Sequence, residues 1–185
     1  MTAPLRIVIR EGVTVLLFTT AIGTCGVEWD ATGITRVHLP RDRALARAQA
    51  TAGARDGVPA PVAAAAEAMT RLLQGEPEPL ADVAVSDAAT EPFARRVYAA
   101  TREVGPGETT TYGAIAWELG DPSAARAVGA ALGANPTPIV VPCHRVLAAD
   151  GSLHGFSAPG GIATKRRMLE IEGALGFAQA TLFAC

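Results

Sequence analysis

Cysteine, net charge and long apolar runs are all scarce in this sequence. Three widely spaced cysteines in 185 residues do not make a disulfide framework, so we expect a reducing compartment, the cytoplasm. Because no run of 18 apolar residues occurs, we expect no membrane-spanning helix. A net charge of −2 excludes a polycation, so any contact with nucleic acid must be local. Lysine is scarce too, since Lys165 is the only one and all other strong bases are arginine.

Apolar residues make up 49% of the chain, enough for one domain or two small ones without disulfides. Four short β-branched segments separated by turn residues predict an antiparallel meander. These segments are 5–10, 13–20, 24–29 and 33–38. Helices are predicted over 41–49 and over 62–74, the second starting after a proline and ending before a glycine. A Pro- and Ala-rich connector over 75–90 then divides the chain into domains 1–90 and 91–185.

The second domain begins with an amphipathic helix over 93–104, and two short helices joined by a turn follow. Thr111 can cap a helix over 112–119, and Ser123 can cap one over 124–132. The spacing leaves two readings open, a structural helix pair and a DNA-binding helix-turn-helix. The second short helix is almost all alanine and glycine around Arg126. A smooth face with one guanidinium suits a DNA groove better than a protein core.

Cys143 follows the apolar run Ile139–Val141, whose β-branched residues predict a buried strand. The exit of a strand suits a nucleophile, because the strand fixes the backbone while the next loop leaves room for a substrate. The alternative is an inert buried cysteine, since free cysteine usually behaves as a small hydrophobe. The neighbouring His144 does not decide between them, because adjacent side chains on a strand point to opposite faces.

The last predicted helix, 162–172, places a cation and a carboxylate on its apolar face. Lys165, Met168, Leu169 and Glu172 are spaced for one side of a helix. An inward carboxylate needs a partner, and an imidazole is a suitable one. Because Lys165 is the only lysine, we interpret it as a site residue, since an ammonium and a guanidinium are not interchangeable.

Six short motifs occur along the second domain. They are Pro106–Tyr112, Ala124–Gly129, Asn135–Pro136, Pro142–Val146, Asp150–Ser152 and Glu172–Gly173. In this order and spacing the chain closely resembles the O6-alkylguanine-DNA alkyltransferases from about residue 93 to residue 173. The resemblance implies an α+β fold. A ribonuclease-H-like N-terminal lobe would carry the small antiparallel sheet, and a mostly helical C-terminal lobe would carry the helix-turn-helix and the active-site cysteine.

The resemblance also implies a function, which is DNA repair by direct reversal. Such a protein binds double-stranded DNA through the minor groove, flips out an alkylated guanine and moves the O6-alkyl group irreversibly to Cys143. O4-alkylthymine is an expected further substrate. Glu172 would orient His144, which would draw the thiol proton away through a water and lower the pKa of Cys143 below about 8.5. Asn135 would join this network, and Lys165 would stabilise the site.

Other residues would hold the flipped base and the DNA. Tyr112 would hydrogen-bond the base and help rotate the adjoining phosphate. The carbonyls of Cys143 and Val146 would accept from the exocyclic amine, and the N–H of Ser157 would donate to O6. Arg126 would enter the base stack from the minor groove, with small residues beside it permitting close docking. These small residues are Ala125, Ala127 and Gly129.

The loop over 155–161 departs from the family pattern, with Phe156 where tyrosine is usual and two additional residues. Phe156 keeps an apolar wall, and the longer loop predicts a wider pocket that tolerates adducts larger than methyl. Cys25 and His38 are too few for a zinc site in the first lobe, and we expect no cofactor and a monomer. Two alternatives remain. One is an alkyltransferase-like binding module, although that branch lacks the acceptor cysteine, and the other is a cysteine hydrolase.

Overall fold

A computed structural model describes residues 6–10, 13–42, 45, 57–87, 90–153 and 155–174. The first part of the chain forms a four-stranded antiparallel sheet in the order β1-β2-β3-β4. Its strands are β1 Arg6–Arg10, β2 Val13–Thr20, β3 Gly23–Trp29 and β4 Ile34–His38. The predicted meander is therefore confirmed, with bounds that differ by at most one residue. The helix predicted over 41–49 lies largely outside the described residues.

Helix α1, Ala60–Leu72, covers one face of this sheet with an alanine-rich apolar stripe. Pro61 stands in its first turn, where a missing N–H costs nothing, which agrees with the predicted start. The core beneath it joins side chains from both predicted domains, because Ile139, Val140 and Met168 pack with Phe18 and Met69. The ribonuclease-H-like description and the domain boundary at residue 90 stay predictions.

Four helices and two short strands build the rest of the described chain. They are α2 Pro92–Arg102, β5 Thr110–Thr111, α3 Tyr112–Glu118, α4 Ala125–Gly133, β6 Val146–Leu147 and α5 Gly161–Ile171. The described chain is thus α+β, as predicted. None of its described helices combines the length and apolarity that crossing a bilayer requires.

The connector between α1 and α2 is pinned rather than loose. Arg102 donates to the carbonyls of Leu80, Ala81 and Val83 at 2.6–3.1 Å. Arg95, two helical turns earlier on α2, forms an ion pair of 2.9 Å with Asp87. Arg102 therefore satisfies backbone carbonyls of this irregular segment, and Arg95 neutralises one of its carboxylates. Without these contacts the same groups would have to be solvated by water.

The strand predicted over Ile139–Val141 is wrong. Ile139 has a φ of 76°, in the left-handed region, and Val141 makes only an isolated bridge with Pro138. The apolar side chains are buried, but the prolines at 138 and 142 have no N–H for a ladder. The run of apolar residues marks burial here, and a turn rather than a strand carries the chain to Cys143.

Candidate active site

Cys143 opens a short 3-10 turn, Cys143–Arg145, that is almost entirely buried. The amide of Asn135 holds the preceding segment, because its Nδ2 donates to the carbonyl of Val141 at 2.9 Å. Its Oδ1 accepts from the N–H of Thr137 at 3.0 Å. Asn135 therefore fixes both ends of the turn that delivers the thiol, and 9% of Cys143 remains exposed.

His144 is fully buried and lies against the last helix. Its Nε2 is 2.8 Å from Oε1 of Glu172, whose side chain is also completely buried. This confirms the predicted pairing of the inward carboxylate with an imidazole. Burial, as the largest effect, lowers the pKa of His144, although Glu172 opposes it. The imidazole is therefore neutral at pH 7 and donates its Nε2–H to the carboxylate.

Arg145 shares the same carboxylate. Its Nε donates to Oε2 of Glu172 at 2.8 Å and its Nη2 to Oε1 at 2.9 Å, while Nη1 binds the carbonyl of Val104. Burial would raise the pKa of Glu172, but His144 and Arg145 together lower it to about 2. Glu172 is therefore an anion at every physiological pH. The sequence analysis included Arg145 in the Pro142–Val146 motif but gave it no role, although a buried cation requires a partner just as a buried carboxylate does.

The tautomer that Glu172 imposes leaves Nδ1 of His144 as the basic nitrogen. This Nδ1 is buried and has no hydrogen-bond partner among the described residues. An unsatisfied buried nitrogen costs about 1–3 kcal/mol, which a purely structural histidine would have no reason to carry. The arrangement thus supplies a base next to a cysteine.

The expectation that Cys143 has a lowered pKa is wrong for the protein alone. Burial is the dominant effect and raises the pKa of the thiol. A hydrogen bond from Asn135 and the nearby Lys165 ammonium act in the opposite direction without overcoming it. The thiol is therefore protonated at pH 7, and its proton must be removed when it reacts.

Lys165 is fully buried at the centre of the site. Its Nζ donates to the carbonyl of Val146 at 2.6 Å and stands 5.9 Å from the centre of the Tyr112 ring. Burial lowers its pKa, and Cys143 opposes this shift. The carbonyls of Cys143 and Val146 each already accept one hydrogen bond, from the Val146 N–H and from Lys165. Each oxygen keeps a second lone pair for a ligand.

Two short strands bring Tyr112 to this region. β5 pairs in parallel with β6, so that Thr111 lies opposite Leu147, and Tyr112 begins α3 directly afterwards. The predicted cap is confirmed, because Oγ1 of Thr111 accepts from the N–H of Ala114 at 3.1 Å. Gly107, with a φ of 80°, lets the preceding turn approach closely: a Cβ there would stand 3.0 Å from the carbonyl oxygen of Glu172.

The second short helix starts differently from the prediction. Ser123 was expected to cap it, but Oδ1 of Asp121 accepts from both the N–H and the Oγ of Ser123, at 3.0 and 2.6 Å. A 3-10 turn, Pro122–Ala124, precedes α4. Asp121 caps this turn instead of Ser123, because a carboxylate is a stronger hydrogen-bond acceptor than a hydroxyl and Asp121 directly precedes the proline that begins the turn.

The predicted DNA-contacting residues lie on α4. Arg126 and Ala127 are exposed, while Ala125 and Gly129 are half-buried. A Cβ at Gly129 would be 3.8 Å from the ring of Tyr112, so this position belongs to the packing around that ring as well as to the surface. Tyr98 fixes the helix from below, because its hydroxyl donates to the carbonyl of Ala131 at 2.9 Å.

A cavity of about 200 Å³ opens at Cys143. Phe156 and Ser157 form one wall, and Oγ of Ser157 anchors the loop by donating to the carbonyl of Gly133 at 2.7 Å. Among the described residues its lining includes neither Tyr112 nor Val146. The sequence analysis missed the lining residues that come from the first part of the chain. Their charged members are Arg36 and Asp42.

Known proteins share both the sequence and the architecture of this chain. Residues 92–174 match the family described as the DNA-binding domain of 6-O-methylguanine DNA methyltransferase. A methylated-DNA–protein-cysteine methyltransferase of Mycobacterium tuberculosis is 50% identical over 91 residues, which cover 49% of this chain and 54% of that protein. The matched segment thus spans about half the length of the curated relatives.

Solved structures extend the similarity to most of the chain. The crystal structure of M. tuberculosis O6-methylguanine methyltransferase is 34% identical with a TM-score of 0.69, covering 85% of this chain and 90% of that one. A structure of the M. tuberculosis protein in complex with DNA is 32% identical with a TM-score of 0.68, covering 88% and 95%. This chain therefore belongs to the O6-methylguanine-DNA methyltransferase family.

Proposed function

We propose that this protein repairs alkylated DNA by moving the O6-alkyl group of a flipped-out guanine onto Sγ of Cys143. The observation that carries the proposal is the neutral, buried His144, held by Glu172 with its Nδ1 unpaired beside a cysteine that opens into a cavity. Family membership supports the same activity, as does a relative whose structure contains DNA. O4-alkylthymine is a further proposed substrate.

Proton removal is the first chemical requirement. The raised pKa of Cys143 means that the thiol must lose its proton to a base during the reaction. We infer that a water bridges the thiol to Nδ1 of His144, so that the thiol proton moves through this water onto the imidazole while the Nε2–H stays hydrogen-bonded to Glu172. Glu172 stays ionised throughout, because Arg145 holds its second oxygen. It therefore stabilises the imidazolium that forms.

Transfer then follows as one displacement. The Sγ–carbon bond forms as the carbon–O6 bond breaks, and the electron pair of the broken bond stays on the guanine. The hydroxyl of Tyr112 donates a hydrogen bond that offsets this developing charge. A thiolate of high intrinsic pKa is a strong nucleophile, so burial of Cys143 favours the attack once the proton has left.

The stability of the thioether product determines how many times each protein molecule can react. A thioether is not hydrolysed under mild conditions, so each molecule would act once. Lys165 supports this step in two ways: its charge favours the thiolate, and its hydrogen bond to Val146 holds the carbonyl that faces the base. The N–H of Ser157 is proposed to meet O6 from the cavity wall.

DNA would dock on α4 through the minor groove. Arg126 is exposed, and the residues around it are small, which lets the helix backbone approach the duplex closely. We infer that its guanidinium fills the gap left by the extruded base. Arg126→Ala should slow transfer from duplex DNA by about tenfold, since extrusion costs a few kcal/mol, but spare transfer from free O6-benzylguanine. Arg166→Ala, an exposed arginine on α5, is the matched control.

A titration of duplex DNA containing O6-methylguanine tests the proposal. Repair restores the guanine, so cleavage by a methylation-blocked restriction enzyme reports the repaired fraction. Repair should stop at one lesion per protein molecule and vanish in Cys143→Ser. Cys25→Ala is the matched control, because Cys25 is also buried and its pKa is raised to about 12. Continued turnover with excess lesion would instead favour a hydrolase and contradict the proposal.

A further inference from the structure

The last turn of α4 meets the loop over 155–161 at the cavity beside Cys143. Leu132 of α4 lines this cavity together with Phe156 and Ser157 of the loop. Phe156 also packs against the apolar core beneath α1 and against the apolar cluster that contains Cys143. The helix proposed to dock on DNA and the loop proposed to hold the flipped base are therefore neighbours at the reacting sulfur.

A side-chain hydrogen bond joins this loop to α4. Oγ of Ser157 donates to the carbonyl of Gly133, the last residue of the helix, at 2.7 Å. The final carbonyls of a helix lack partners within the helix, so the hydroxyl satisfies a group that would otherwise be left to water. Both residues are exposed, and the bond therefore competes with water and contributes only modestly to the stability of the fold.

A second hydroxyl ties the other half of the loop to α5. Oγ1 of Thr164 donates to the carbonyl of Pro159 at 3.0 Å, and the N–H of Gly161 donates to the carbonyl of Ala158 at 2.9 Å. The same helix carries Lys165, which is buried at the centre of the site. The loop thus runs from the proposed DNA-docking helix to a helix that supports the active site, with a hydroxyl contact to each.

Duplex DNA and a free base would meet this pocket under different constraints. A flipped guanine stays attached to its strand, so the helix on which the DNA docks sets its position. The N–H proposed to meet O6 belongs to Ser157, so the loop sets the position of that donor. Because a misplacement of about 1 Å can cost a hundredfold in rate, transfer from DNA depends on how α4 and the loop are held relative to each other. A free base has no such attachment and settles into the pocket by itself.

We propose that the hydroxyl of Ser157 is a positioning group that couples DNA docking on α4 to the lesion pocket. The inference rests on the proposed function and deepens it, because it gives the side chain of Ser157 a role separate from that of its N–H. By holding the loop to Gly133, the hydroxyl keeps the pocket in register with a base presented by DNA on α4. Its removal should therefore slow transfer from an alkylated duplex more than transfer from the free alkylated base.

Single-turnover rates with the full chain test the coupling on two substrates, a duplex that contains O6-benzylguanine and free O6-benzylguanine. Ser157→Ala keeps the N–H and should lower the ratio of the duplex rate to the free-base rate about fivefold, the effect of one neutral hydrogen bond. Ser157→Thr retains a hydroxyl and should restore most of this ratio. Thr164→Val is the matched control, because it removes the hydroxyl that ties the same loop to α5, and it should leave the ratio unchanged.

Three outcomes would overturn the coupling. An equal loss with both substrates would place the hydroxyl of Ser157 in the pocket alone, and an unchanged ratio would leave it without a positioning role. An equal fall of the ratio in Thr164→Val would make a general loosening of the loop the cause. Failure of the proposed function looks different, because the wild-type chain would then transfer no group from either substrate.

Discussion

Glu172→Gln changes one charge in the centre of the site while keeping the shape of the side chain. The carboxylate accepts hydrogen bonds from Nε2 of His144 and from Nε and Nη2 of Arg145, and none of it is exposed. Removing its charge leaves the buried Arg145 cation without a counter-ion, which typically costs about 3–5 kcal/mol. The depressed pKa of Glu172, about 2 against 4.5, gives a similar figure of about 3 kcal/mol.

The sign of the pH dependence follows from the direction of that shift. Since folding lowers the pKa of Glu172, its contribution to stability is fully present above about pH 4.5 and is lost as the pH falls towards 2. The glutamine variant lacks this contribution at every pH. The difference in unfolding free energy should therefore be about 3 kcal/mol at pH 7 and shrink below pH 4.5.

Urea unfolding followed by circular dichroism at pH 7, 5, 4 and 3 measures this difference. Glu170→Gln on the same helix is the matched control, because its partner Arg167 is 3.6 Å away and half exposed. That control should cost less than about 1 kcal/mol. Alkyl transfer by Glu172→Gln should also slow by at least about a hundredfold, since the tautomer of His144 is no longer fixed. An unfolding free energy within 1 kcal/mol of wild type at pH 7 would refute the reasoning.

Three other perturbations have defined outcomes. Because the pKa of His144 is lowered and that of Cys143 is raised, the base is neutral and the thiol still protonated between pH 7 and 9; the single-turnover rate should therefore be level over this range, whereas a rate that climbs with pH would show that a pre-ionised thiol reacts without His144 as its base. Lys165→Met should reduce the rate of alkyl transfer by about tenfold or more, since the carbonyl of Val146 loses its hydrogen-bond donor. Lys165→Arg should restore little of this rate, because a guanidinium does not replace an ammonium in a buried site. Trp117, 73% exposed on α3, should change its fluorescence when DNA binds; the change should vanish in Trp117→Phe and persist in Trp29→Phe.

Local patterns predicted those parts of the fold that local chemistry decides. The β-branched segments correctly predicted the four strands, and the capping hydroxyl of Thr111 correctly predicted the start of α3. Helical spacing correctly put Lys165 and Glu172 on the inward face of α5, because that helix has one apolar side. The residue types at these positions leave few structural alternatives.

The sequence was less informative where distant segments decide the structure. Ile139–Val141 has strand-like composition, but prolines on both sides and the hydrogen bonds of Asn135 make it a turn. The raised pKa of Cys143 depends on how completely several elements cover the thiol, which no local pattern records. Arg36 reaches the cavity only because β4 bonds to a loop a hundred residues later.

The resemblance to the family identified the roles of the residues more sharply than the residue pattern did alone. It named His144 as the partner of Glu172, although the two are 28 residues apart in sequence. It gave no role to Arg145, which binds the same carboxylate through two nitrogens. The catalytic and DNA-binding roles of these residues stay predictions.

The central claim is that the sulfur of Cys143 accepts the alkyl group. Incubation with a duplex that carries O6-methylguanine, followed by proteolysis and peptide mass spectrometry, locates any adduct on the chain. We expect a gain of one methylene on the peptide that contains Cys143, formed in equal amount to the guanine restored. A gain on the peptide of Cys25 or Cys185, or restored guanine with no gain on the protein, would contradict the account.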